Sequence, residues 1–226
     1  MSEYRKPRRP AMLSPEEADR IPGGSDPAQR SEAAHLTARA IVHQGRESDD
    51  PQVQARLVRL VEIEGIEVVA DMWSDAPANT LPGALWRLYQ LREWVGREPE
   101  TISRRYREGL GRAEVAGVVA GVATPPNPDS VRKVADEVLS GVYNGDLAVA
   151  LERAGAFCRV LATGVALNAD IADDAPHPER SRSATGGSAE FKEDPGEYLT
   201  RRAGALMTLA EELEHAAQLW RTGRLD

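Results

Sequence analysis

With a single cysteine, Cys158, this chain has no internal disulfide framework, which fits a reducing compartment. Cys158 sits beside Phe157 on an apolar helical seam and reads as a buried small hydrophobe, not a reactive thiol. Lysine is almost absent: arginine outnumbers it 25 to 3. Long apolar runs are missing, and none approaches the roughly 18 residues of a membrane span. The basic N-terminus, Met1 to Pro10, lacks the apolar stretch of a signal peptide. The expected location is therefore the cytoplasm, with no membrane partner. The net charge of −8 argues against a general nucleic-acid coat, because phosphate affinity comes mainly from Lys and Arg.

Catalytic motifs are also lacking. There is no Gly-x-Ser-x-Gly, no supported Cys/His pair, no phosphate-binding glycine loop after a strand and no zinc spacing. Glu32-x-x-His35 and Glu212-x-x-His215 each put a carboxylate and an imidazole on one helix face, as in ferritin-like di-iron bundles. Here they fall in the first and last helices, and His43 and His177 stand apart. No metal, cofactor or catalytic residue is expected, and the chain reads as a non-enzyme.

Two matched apolar seams dominate what is present. Leu199, Ala203, Leu206, Ala210, Leu213, Ala217 and Trp220 follow a 4-3-4-3-4-3 spacing. Leu147, Leu151, Ala154, Cys158, Leu161 and Val165 repeat the rhythm. An average near 3.5 residues keeps each seam on one helix face, and the small residues let two backbones come close. The expected fold is all-α: a multi-helix domain with a disordered N-terminal arm and a tethered C-terminal helix.

The boundaries follow from composition. Residues 1–26, with four prolines and Gly23-Gly24, read as a disordered basic arm with one short turn at Glu16–Arg20. Residues 27–166 read as the helical domain, starting with a helix over 27–45 that buries Ala33, Leu36, Ala40 and Ile41 and stops at Gly45. Asp50-Pro51 caps a second helix, with Val53, Leu57, Leu60, Val61 and Ile63 inward. Ile66–Trp73 reads as a short helix or turn rather than a strand, because nothing else in the chain pairs with a strand. Asn79-Thr80-Leu81-Pro82 opens a strong helix whose core stripe is Leu81, Leu85, Leu88 and Val95. Residues 167–195 are rich in Ser, Gly, Asp and Pro and read as a flexible linker. As a random coil this segment spans about 30 Å. That reach lets the helix at 196–222 return to the Leu147–Val165 seam, although a homodimer would satisfy the same seam.

Of eleven aromatic residues, Trp73, Trp86, Tyr89, Trp94 and Tyr106 fall within 34 positions, interleaved with Arg87, Arg92 and Arg97. Trp, Tyr and Arg are the types enriched at binding hot spots. Trp86, Arg87, Tyr89 and Trp94 are therefore the expected surface for a protein partner.

Within the same region, Leu88 to Tyr106 contains a helix, a turn led by Gly96, and a second helix opening with Thr101-Ile102-Ser103-Arg104. This segment resembles the helix-turn-helix of lac-repressor-type regulators. The resemblance covers about 20 residues and implies that Thr101, Ser103, Arg104 and Arg105 face a DNA major groove. Residues 82–112 hold seven Arg against four Glu. The expected function is a non-catalytic helical adaptor or regulatory protein that binds another protein, monomeric or homodimeric. The alternative is a DNA-binding regulator using residues 88–106.

Overall fold

The structure, a computed structural model, describes residues 26–47, 52, 55, 56, 59, 66–144, 146–174 and 194–226. The described residues are helical, with no strand among them. Their helices are α1 (Pro27–Glu47), α2 (Ile66–Trp73), α3 (Leu81–Arg97), α4 (Pro99–Leu110), α5 (Glu114–Ala120), α6 (Pro128–Asn144), α7 (Leu147–Asp174) and α8 (Pro195–Arg221). Residues 1–25 of the expected arm, the inward face Val53 to Ile63, and residues 175–193 of the expected linker lie outside the described residues.

Local chemistry sets the ends. The Thr80 hydroxyl accepts from Gly83 N at 3.3 Å, and Pro82 follows in the first turn of α3. Asn127 and Ser130 cap α6 reciprocally: Asn127 Oδ1 accepts from Ser130 N at 2.8 Å, and Ser130 Oγ accepts from Asn127 N at 2.9 Å. Asp146 and Asp194 cap α7 and α8 through Ala148 N and Gly196 N, at 2.8 and 3.1 Å. Gly121 ends α5 in the left-handed region, at φ +76°, where a Cβ is disfavoured.

The α7 helix is the centre of the core. Leu147, Leu151, Ala154, Cys158, Leu161 and Val165 are all fully buried. It packs most extensively against α8 and also against α4, α5 and α6. Side-chain pairs Glu152–Arg221 and Arg159–Glu214 run in opposite senses along the two helices, so α7 and α8 are antiparallel. Ala203, Leu206, Ala210, Leu213 and Ala217 of α8 are buried, as the spacing predicts, so the C-terminal helix docks within the chain. Leu147–Ile171 is also long and apolar enough, by length and composition, to cross a membrane; here most of it is covered by neighbouring helices.

Glycine decides how closely the helices cross. A Cβ at Gly164 of α7 would lie 1.9 Å from the Arg105 carbonyl oxygen of α4. A Cβ at Gly109 would lie 2.0 Å from the Val160 carbonyl oxygen. The two backbones therefore meet at this point with no room for a side chain. Just beside it, the Tyr106 and Phe157 rings stack with centroids 5.1 Å apart.

Two sequence expectations need correction. The buried face of α1 is Ala34, Ala38 and Val42; Ala33 and Ala40 are exposed, and Leu36 is 57% exposed. The face is turned by one residue, about 100°. Trp73 Nε1 fixes it by donating to Thr37 Oγ1 at 3.1 Å. This helix also runs through Gly45 to Glu47. Second, α7 continues to Asp174, eight residues beyond the expected boundary at 166. Asn168 extends it by donating to Glu108 Oε2 at 2.6 Å and to the Gly164 carbonyl at 2.7 Å, and Ala169 is buried.

Candidate protein-interaction surface

The aromatic residues expected to face a partner separate on folding. Tyr89 is 0% exposed, and its hydroxyl is hydrogen-bonded to that of Tyr143. It lies four residues after Leu85, only about 40° round the helix, so it belongs to the core stripe and not its edge. Burial pushes its phenol up to about 12. Arg87 is held inside the fold, donating to Glu212 Oε2 at 2.7 Å and to the Gly83 carbonyl at 3.0 Å. Trp86 is half-buried against the core. Trp94 is half-buried and has a different neighbourhood.

The second helix of the helix-turn-helix-like segment is α4. Ser103 is 3% exposed and donates to the Glu100 carbonyl at 3.1 Å; Thr101 is half-buried. A reading helix must present these side chains outward, so Ser103 is removed from any groove-facing set. Arg92 stands where the repressor motif packs a small alanine, and here it donates to Asp136 Oδ1 at 2.8 Å. This pair holds α3 to α6. Arg104 is exposed, and Arg105 is half-buried.

Trp94 of α3 meets the first turns of α8. The Arg202 guanidinium lies 5.7 Å from the Trp94 ring centroid and 5.6 Å from that of Tyr198. Arg202 Nη1 also donates to the Tyr198 hydroxyl at 3.2 Å. The Arg201 guanidinium lies 6.0 Å from the same Tyr198 ring, which is 42% exposed. These distances are within the range of cation–π attraction. Arg105 sits close enough to feel Arg202 and Arg104. Its guanidinium is held below its usual range by burial first, then by repulsion from Arg202 and Arg104; Glu98 and Tyr198 act in the opposite sense. Arg105 Nη1 is buried with no hydrogen-bond partner.

The result is a ledge of two aromatic rings and four arginines. It joins one residue from the expected partner surface, Trp94, to two from the expected DNA surface, Arg104 and Arg105. Sequence reading missed Tyr198, Arg201 and Arg202. The signal was present in their spacing: Tyr198 and Arg202 are four apart and share one face of α8, next to its seam.

Other concavities are less suited. A cleft of about 320 Å³ lies between α3 and α6, lined by Arg92, Arg97, Arg132, Glu93 and Asp136 among others. There Arg92 and Arg97 each hold a carboxylate, Asp136 and Glu93. Neither Glu-x-x-His pair assembles with the other: Glu212 holds Arg87, and His35 Nδ1 is 2.7 Å from the Ser31 carbonyl. Among the described residues no group of three or more His, Cys, Asp or Glu side chains is placed to hold a metal ion. Cys158 is fully buried, and burial pushes its thiol up to about 12. No protein-family model, curated protein or solved structure matches this chain.

Proposed function

We propose that this chain is a non-catalytic, cytoplasmic helical adaptor or regulatory protein that binds another protein through the Trp94–Tyr198–Arg202–Arg105 ledge. The observation that carries this reading is the Arg202 guanidinium held between two aromatic rings, 5.7 and 5.6 Å from their centroids, at a partly exposed junction of three helices. Trp, Tyr and Arg are enriched among the few residues that carry most interface energy, and a side chain already held by its neighbours loses less conformational freedom on binding. Packing of α8 against α7 brings Tyr198 and Arg202 to Trp94, so the surface depends on that docking.

The test is capture of a partner from the native cell extract by immobilised protein, with Trp94→Ala and Tyr198→Ala as variants. Each substitution is expected to weaken capture by about 1–3 kcal/mol, with the circular dichroism spectrum and melting temperature retained. Unchanged capture by both folded variants overturns the assignment of the surface.

A further inference from the structure

Resting on that reading, we infer that the ledge recognises an acidic peptide segment, with side-chain carboxylates pairing with Arg105 and Arg202 and the flanking residues lying on Trp94 and Tyr198. Three observations converge on this partner. Arg105 Nη1 is withdrawn from solvent without an acceptor. That atom faces inward, but the residue as a whole is only half-buried, and a carboxylate meeting the exposed part of its side chain would form a charge-assisted bond there. Arg105 is repelled by both Arg202 and Arg104, so an incoming negative charge there relieves repulsion as well as forming a bond. Arg202 is fixed in advance by its contacts with both rings and by its bond to the Tyr198 hydroxyl. A fixed guanidinium loses little rotamer freedom when it pairs.

The surroundings favour a short acidic segment over a nucleic acid. Glu98, Glu100 and Glu197 are exposed along the margins of the ledge, at the first turns of α4 and α8. A phosphodiester chain tracks a continuous basic path and would run onto these carboxylates. A peptide of a few residues can hold its carboxylates over the arginines and end short of those at the margins.

The test measures fluorescence anisotropy of fluorescein-labelled hexaglutamate with the full chain at low salt. Hexalysine and a 16-base-pair DNA duplex serve as comparators. Hexaglutamate is expected to bind, to weaken as salt rises, and to lose at least tenfold in affinity in the Arg105→Gln, Arg202→Gln double variant. Arg112→Gln, an exposed arginine beyond the end of α4, should leave binding unchanged. Circular dichroism checks that each variant is folded. Three results would overturn the inference: no binding of hexaglutamate, an equal loss in the Arg112 variant, or tighter binding of the duplex. If hexaglutamate fails while Trp94→Ala still abolishes partner capture, the acidic chemistry falls and the ledge remains. If hexaglutamate binds as expected while capture ignores Trp94 and Tyr198, the ledge binds acidic peptide but is not the surface that recruits the extract partner.

Discussion

Arginine is used in two opposite ways in this molecule. Along the α7–α8 seam each cross-helix arginine meets a carboxylate: Arg159 meets Glu214 with two bonds of 2.6 Å, and Arg221 meets Glu152. Arg87 joins α3 to the same helix through Glu212. At the junction of α3, α4 and the start of α8, Arg105 feels both Arg104 and Arg202, and it has a donor atom with no acceptor. Scarcity of acid does not explain this, since the chain has 36 Asp and Glu against 28 Lys and Arg. The seam's ion pairs close within the chain; Arg105 Nη1, at the ledge, is left without an acceptor. Regions that leave local interactions unsatisfied are where function is expected to lie.

The largest effect tests the seam. Leu213 is fully buried between α8 and its neighbours. Leu213→Ala should lower stability by about 2–5 kcal/mol, the lost transfer term plus the cavity left behind. Urea unfolding followed by circular dichroism measures it. A loss under 1 kcal/mol would mean that α8 contributes little to the core, and the ledge would lose its support.

High pH separates the two regions next. Cys158 is raised from 9.0 to about 12, and Tyr89 and Tyr106 from 10.0 to about 12, by burial in each case. Tyr143 is raised further in the same direction. In the unfolded chain these groups lose protons from about pH 9 upward, while the folded chain retains them. Their contribution is fully present below pH 9 and is lost as pH rises toward 12. The urea midpoint should therefore fall over that window, and Cys158→Ala should move the onset upward. A midpoint flat from pH 8 to 11 would contradict the burial of these groups. The Cys158 thiol should also resist thiol reagents until the protein unfolds.

How much of this was legible follows the same divide. The α7 and α8 seams were readable because their spacing repeats over many turns, and a helix can satisfy it only one way. The α1 face was misread because its buried residues, Ala34, Ala38 and Val42, are small, while the larger Leu36 points outward. Tyr89 was misread because a position between a stripe and its edge is decided by what packs there, here Tyr143 and Trp73. The ledge was beyond sequence reading as a whole. Its arginines and rings come from positions 94–105 and 198–202, and only the return of α8 brings them together.

Glycine substitutions sharpen the contrast between crowded and open backbone. Gly164→Ala places a Cβ on the Arg105 carbonyl, so α4 must move away from α7. Overpacking of this kind should lower stability by about 1–3 kcal/mol. Because Arg105 rides on α4, hexaglutamate binding should weaken in the same variant. Gly204→Ala, in α8 with open space around it, should instead raise stability by about 0.5–1 kcal/mol. Equal effects from the two changes would show that the crossing is looser than described.

The smallest effect is the most direct comparison of the two kinds of arginine. Arg159→Met removes a guanidinium that Glu214 holds with two bonds, and it leaves that carboxylate without its partner. Both side chains are about one-third exposed, 33% and 32%, so the loss is screened by solvent and should be about 0.5–1 kcal/mol. Arg105→Met removes a charge that burial and neighbouring arginines already disfavour, and methionine keeps most of the apolar stem. A guanidinium held below its usual range is one that the folded state binds less readily in charged form. Removing it should therefore leave stability unchanged or raise it slightly. Salt separates the two as well. Added salt weakens an attractive pair and relieves a repulsive cluster, so the deficit of Arg159→Met should shrink as salt rises, and so should any gain from Arg105→Met. If Arg105→Met instead destabilises the fold as much as Arg159→Met does, Arg105 is a structural strut, and the ledge has no charge held in reserve for a partner.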